Sequence, residues 1–201
     1  MAPHFEYDPG MTYRTITVGP VSGGRPPREG ELVVALDQGK VFGTGHHETT
    51  SLCLALLGGL YADAGPKPRR VLDVGCGTGV LSVACALLGA ERVRGVDVAE
   101  DSPRVATGNA ERNGVAAKCT FDLTPLAAVG GAHDLVLANI LAPVLRELCG
   151  DLCAQAKGGR LVLSGFKDHE HDELLARFTA NGLKLRADTQ AAEWCAALLV
   201  G

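Results

Sequence analysis

An apolar run, Val71-Leu72-Asp73-Val74, stops at the turn Gly75-Cys76-Gly77-Thr78-Gly79, and a second apolar run follows from Val80 to Leu88. Few architectures accommodate a buried strand that breaks into so glycine-rich a turn and then enters a helix. Glycine has no Cβ, so a ligand can lie against bare backbone there. The helix that follows aims its first amides at the same place. A dinucleotide fingerprint asks for another glycine where Val80 stands. A pyrophosphate therefore fits this turn less well than a ligand with an uncharged linker, and S-adenosylmethionine is such a ligand.

From Val71 onward, strand-like and helix-like stretches alternate. Strands are expected near 71–74, 92–97, 118–121, 134–139 and 160–164, with helices near 80–88, 102–113 and 143–156. A further helix near 170–181 ends before Gly182, a residue suited to the position after a helix. Two late strands, near 183–188 and 195–200, have only a short link between them and read as an antiparallel hairpin at one sheet edge. The pattern predicts an α/β fold: a Rossmann-like doubly wound sheet of the class I methyltransferase type, mostly parallel, with an antiparallel C-terminal hairpin strand. Ahead of it, 13–18 and 31–36 alternate like strands and are joined by a Gly- and Pro-rich link. They predict a small antiparallel ribbon within an N-terminal extension, 1–40, preceding the main domain, 41–201.

Composition narrows the class. With 201 residues, 46% of them hydrophobic, the chain can bury the core of one α/β domain. Its net charge of −4 and the absence of a basic stripe argue against direct nucleic-acid binding. No stretch reaches the ~20 apolar residues of a membrane span, and residues 1–10 lack the apolar run of a secretory leader. Seven cysteines, an odd number, sit mostly in apolar runs, as expected for reduced, buried thiols in a cytoplasmic protein. Cys149 and Cys153 can share a helix face, but no second pair at zinc spacing accompanies them, so no metal site is expected.

In open α/β sheets the ligand lies beyond the carboxyl ends of the strands. Besides Gly75, Gly77 and Gly79, that rule selects five side chains. Asp97 ends the second core strand about 20 residues beyond Gly75, the place of a ribose-binding carboxylate. A helix-capping role is the plainer alternative. Val98, next in the chain, is placed at the cofactor with it. Asp73, before the turn, can order loop amides or face a cofactor ammonium. Asp122, ending the third strand, can approach an adenine amine or simply cap a loop. Asn139 ends the fourth strand, where its carbonyl oxygen can accept from an attacking amine and its NH₂ can donate to the cofactor. It is the expected catalytic residue, although an N-cap role before Pro143 suits it as well.

The loop Phe42-Gly43-Thr44-Gly45-His46-His47-Glu48-Thr49-Thr50, with Ser51-Leu52-Cys53-Leu54 after it, resembles that of the PrmA-type methyltransferases. These modify the large-subunit ribosomal protein L-eleven. The glycine turn, Asn109-Ala110-Glu111-Arg112-Asn113-Gly114, the Asn139-Ile140-Leu141-Ala142 segment and Glu193-Trp194-Cys195 also match. The resemblance covers residue 30 to the C-terminus. It implies S-adenosylmethionine as cofactor, held by Thr50, Gly75, Asp97 and Asn139, and methyl transfer to lysine ε-amines and an N-terminal α-amine. It further implies a protein substrate, possibly a ribosomal protein. The family pattern departs at Glu48, where proline is usual, and at His46, where threonine is. Family members also carry an N-terminal recognition domain, for which this chain has only about 40 residues. A small-molecule acceptor, or a cofactor-binding module without activity, are the alternatives. His46 and His47 are the only candidate bases in the loop, and loop packing is the plainer role for both. Trp194 is read as core or as a substrate edge.

Overall fold

A computed structural model describes residues 15–20, 31–36 and 47–201. Element order is β1 (Thr15–Pro20), β2 (Glu31–Leu36), α1 (Glu48–Ala62), β3 (Arg70–Val74), α2 (Val80–Leu87), β4 (Arg92–Val96), α3 (Ser102–Arg112), β5 (Cys119–Asp122) and β6 (Leu135–Asn139). It continues with α4 (Ala142–Glu147), α5 (Cys149–Gln155), β7 (Arg160–Lys167), α6 (His171–Ala180), β8 (Lys184–Ala191) and β9 (Trp194–Val200). Seven strands form one sheet in the order β5-β4-β3-β6-β7-β9-β8. All neighbours run parallel except β9, which is antiparallel to both β7 and β8. The expected doubly wound sheet and its C-terminal hairpin are both present. Strand order reverses between β3 and β6, which opens a crevice where their carboxyl ends diverge.

The two faces of the sheet are sorted by residue parity. Val71, Leu135, Leu137, Val162 and Leu198 pack with α1 and α2 in one core cluster. Leu72, Val74, Val136, Ala138, Leu161 and Leu163 pack with α4, α5 and α6 in the other. Strands buried on both faces read as continuous apolar runs, which is why they are conspicuous in the sequence. Parity also aims the polar strand ends: Asn139, two residues beyond Leu137, falls on the α1 side.

One strand pairing and three boundaries differ from expectation. β1 and β2 do pair, but in parallel rather than as an antiparallel ribbon. What fixes β2 is tertiary. Asn113, at the end of α3, donates from Nδ2 to the Ala35 carbonyl (2.7 Å) and accepts the Ala35 amide (3.0 Å), as a neighbouring strand would. Val34 and Leu36 are buried beside it. The expected single helix over 143–156 is broken at Leu148 into α4 and α5. β7 runs on to Lys167 through a bulge between Ser164 and Phe166, with Gly165 left unpaired. β8 extends to Ala191. The seven cysteines are all free, and six are buried. No helix among the described residues is long and apolar enough to cross a membrane, and no group of three ligating side chains there could hold a metal ion.

Candidate functional site

A cleft of about 1090 Å³ lies over the crevice at the carboxyl ends of β3, β4 and β6. Its floor is the glycine turn. Gly75 has φ of +72°, and a Cβ there would sit 2.3 Å from Ile140 Cγ2, so a larger residue is strained there and must push the Ile140 side chain aside. The amides of Gly75 and Cys76 both donate to the Val96 carbonyl (2.8 and 3.1 Å), which ties the turn to the end of β4.

Asp97 stands just beyond that carbonyl. Its Oδ2 accepts the Gly77 amide (2.7 Å) and its Oδ1 accepts the Ala99 amide (2.9 Å). One carboxylate thus sets the height of the glycine turn and the start of the loop toward α3. Each of its oxygens can accept another hydrogen bond. The next side chain, Val98, is 96% exposed, and it lines the cleft. An apolar side chain held out in water at a cleft mouth can serve as a platform for a flat ligand surface.

The opposite wall comes from the start of α1, the end of β6 and the start of β9. His47 caps α1: its Nδ1 accepts the Thr49 amide at 3.3 Å and contacts Thr49 Oγ1 at 2.9 Å. With Nδ1 as acceptor, a neutral ring carries its proton on Nε2, so a base role through Nδ1 requires breaking the cap. The His47 ring meets Trp194 edge-on, with centroids 5.1 Å apart, and Lys167 Nζ lies 5.4 Å from the Trp194 ring centroid. Asn139 Nδ2 reaches Thr50 Oγ1 at 3.5 Å, and Thr50 is fully buried.

Five expected residues form the cleft wall: Gly75, Gly77, Asp97, Val98 and Asn139. Four stand behind it. Thr50 backs Asn139. Gly79 is pressed under α3, where an added Cβ would lie 2.8 Å from Ala106 Cβ. Asp73 is buried and accepts both the Ser82 amide (3.1 Å) and the Ser82 hydroxyl (2.6 Å), holding the first turn of α2. Asp122 is gripped by Arg94 through Oδ2 (2.9 Å) and Oδ1 (3.2 Å), and its Oδ1 also accepts the Thr124 amide at 2.8 Å. Burial alone would raise the Asp122 pKa, but the Arg94 and Thr124 hydrogen bonds hold it at about 2. The wall beyond β5 is instead supplied by Thr124, Pro125 and Leu126. His47, Thr49, Trp194, Leu141, Val144 and Gly165 also line the cleft. The sequence signalled His47 and Thr49 only as part of a loop, and Trp194 only as an edge residue. Phe42, Gly43 and His46 lie outside the described residues.

The charge of the wall is one-sided. Among the described residues, Asp97, Glu100 and Asp101 line it, and no lysine or arginine does. Such a lining suits a cation and opposes a polyphosphate. Deeper in, burial pushes the Asp73 carboxyl up to about 6; the Ser82 hydrogen bonds oppose the shift and the charge of Asp97 adds to it. A raised carboxyl pKa means that the folded state binds a proton the unfolded chain has released. Its contribution to stability therefore falls as pH rises from about 4 to about 6. Asp73→Asn keeps an oxygen for both Ser82 donors and removes the charge, so its stability should be flatter across that window in urea unfolding. The same variant separates the two roles of Asp73. Cofactor affinity within about twofold of wild type assigns loop ordering, and a tenfold loss assigns contact with the ammonium.

This strand order, with a glycine turn after the first core strand, an acid after the second and a cleft at the switch point, defines the class I methyltransferase fold. Comparison with known proteins then places the chain within that class. The family described as "Ribosomal protein L11 methyltransferase (PrmA)" matches residues 4–200, and the chain belongs to it. The ribosomal protein L11 methyltransferase of Syntrophotalea carbinolica is 46% identical over 158 residues, 78% of this chain and 51% of that protein. That of Geobacter sulfurreducens is 42% identical over 182 residues, 90% of this chain and 58% of that protein. The chain thus spans little more than half the length of these relatives. The crystal structure of a ribosomal protein L11 methylase from Lactobacillus delbrueckii subsp. bulgaricus superposes with a TM-score of 0.81 at 30% identity, covering 92% of this chain and 94% of that one. A magnesium protoporphyrin IX methyltransferase from Synechocystis, solved with bound SAM, shares the fold at 24% identity and a TM-score of 0.63, covering 74% of this chain and 77% of that one. Family and fold are those of S-adenosylmethionine-dependent methyltransferases.

Proposed function

We propose that the cleft binds S-adenosylmethionine and that the domain transfers its methyl group to protein amines, a lysine ε-amine or an N-terminal α-amine, on a ribosomal protein. The observation that carries this reading is the pairing of two walls: Asp97 braced by Gly77 and Ala99 on one, and Asn139 backed by Thr50 on the other. The relatives' names support the acceptor. The free cysteines fit action in the cytoplasm.

The fit of the cofactor rests on three features. The floor at Gly75 has no room for a Cβ beside Ile140, the wall is acidic, and Val98 offers an exposed apolar face. When bound, S-adenosylmethionine supplies an electrophilic methyl group on a sulfonium cation. Asp97 would accept the ribose hydroxyls, Gly75 and Gly77 would leave room for the linker, and Val98 would offer its exposed face to the adenine. Asn139 Oδ1 would accept a hydrogen from the incoming amine and so orient it, while Thr50 Oγ1 fixes the other end of the amide. The amine must reach the site neutral. At pH 7 about one lysine in 2,500 is neutral, a cost of roughly 4.6 kcal/mol. Exclusion of water and the neighbouring sulfonium lower that cost, so positioning rather than a strong base is the main demand on the protein.

Asn139→Ala is expected to reduce turnover by about 10²-fold while weakening cofactor binding less than tenfold. Single-turnover kinetics and calorimetry on one preparation measure both. Turnover equal to wild type would remove Asn139 from the amine. The acceptor is tested by incubating the protein with methyl-labelled cofactor and cell extract: label in a ribosomal protein supports the reading, and label only in small molecules rejects it.

A further inference from the structure

Three buried side-chain polar atoms among the described residues lack a hydrogen-bond partner: Ser102 Oγ, His133 Nδ1 and Gln155 Oε1. Only Ser102 belongs to the cleft wall. It is 1% exposed and opens α3, an eleven-residue helix. Its own amide is satisfied by the Ala99 carbonyl at 3.0 Å, so only the hydroxyl is idle.

The placement of α3 explains where that hydroxyl lies. The buried positions Ser102, Ala106, Asn109 and Ala110 share one face. Ala106 is the residue a Cβ on Gly79 would strike, and Asn109 Nδ2 donates to the Thr78 carbonyl at 2.9 Å. This face is therefore laid against the glycine turn. Ser102 is its first member, one helical turn ahead of Ala106, beside the loop that Asp97 organises. A buried hydroxyl without a partner destabilises the protein that carries it, unless a ligand completes its hydrogen bonding.

We propose that Ser102 is a cofactor-binding residue whose hydroxyl hydrogen-bonds the adenosyl half of S-adenosylmethionine. The inference rests on the cofactor reading above and adds a polar contact to a wall where Asp97 is the evident one. The hydroxyl is idle in the empty protein and engaged in the loaded one, so removing it has opposite consequences in the two states.

The test is Ser102→Ala, read by two measurements that do not depend on turnover. Ligand-free thermal melting is expected to stay level or rise by about 1–4 °C, because an unsatisfied group is gone. Calorimetric affinity is expected to fall about five- to tenfold for S-adenosylmethionine and by the same factor for 5′-methylthioadenosine, which lacks the amino-acid end. Unchanged affinity overturns the proposal. So does a lower ligand-free melting temperature, which would give the hydroxyl a structural role at the start of α3. A penalty confined to S-adenosylmethionine places the contact on the methionine half and overturns it too. Failure of the wild-type protein to bind either compound removes the cofactor reading itself, whereas wild-type binding with an indifferent Ser102→Ala removes only this inference.

Discussion

Asp97→Ala is expected to lower affinity for S-adenosylmethionine by about 10²- to 10⁴-fold. The two charge-assisted hydrogen bonds proposed to the ribose, at about 1.5–3 kcal/mol each, give that range. The loss is compounded in the empty protein, because the carboxylate also accepts the amides of Gly77 and Ala99. Without it, the second glycine of the turn and the loop toward α3 have no common anchor. Asp97→Asn divides the effect. One amide oxygen still accepts, so the turn is partly held, but the charge is lost and the NH₂ faces a donor. Affinity is therefore expected to lie between wild type and alanine. Calorimetric titration of the three proteins, with unfolding curves alongside, separates binding from folding. An alanine variant that binds within threefold of wild type would show that the turn, and not this carboxylate, holds the ribose.

Gly165→Ala is expected to destabilise the domain by roughly 3–5 kcal/mol, a drop in melting temperature of about 6–20 °C. Gly165 has φ of +91°, and an alanine Cβ would lie 2.3 Å from the Ile140 carbonyl oxygen and 2.7 Å from its carbon. Those are backbone atoms of the segment that follows Asn139, and they are held by the Ile140 amide donating to Ser164 (3.2 Å). Relief requires β7 and the end of β6 to part. Protein that does fold should then turn over slowly, since Asn139 moves with Ile140. Thermal melting is the direct measurement, and a change under 2 °C would show that the two strands are not locked at this point.

The sheet from β3 to β9 was legible because its strands are buried on both faces and stand out as apolar runs between glycines. That Gly75, Gly77, Asp97 and Asn139 line the cleft was legible for a related reason: they stand at or just beyond the ends of such runs, where a doubly wound sheet opens its crevice. The acids beside them were harder to read. Asp122 aligns with Val96, two residues beyond Arg94 on the adjacent strand, so the guanidinium reaches it diagonally across the sheet. Sequence position gives no sign of that capture. Asp73 shares the parity of Val71 and turns toward α2, where Ser82 takes it. The direction of β2 was misread because its partners, above all Asn113, are 78 residues away and act through side-chain amides. The far wall, where His47 meets Trp194, joins the first and last elements around the sheet, and no local pattern encodes such a meeting.

The bulge in β7 has one more consequence. Before Gly165, odd positions such as Leu161 and Leu163 face α6; after it, even Phe166 does, in the same cluster and fully buried. Lys167 is thereby sent to the opposite side, over Trp194. A single unpaired residue thus inverts the odd–even code along the strand, letting eight residues feed a dry core on one side and the rim of the cleft on the other. Sliding β7 by one place would exchange those two destinations, exposing a phenylalanine and burying an ammonium. The rim and the far core are therefore locked to a single shared register.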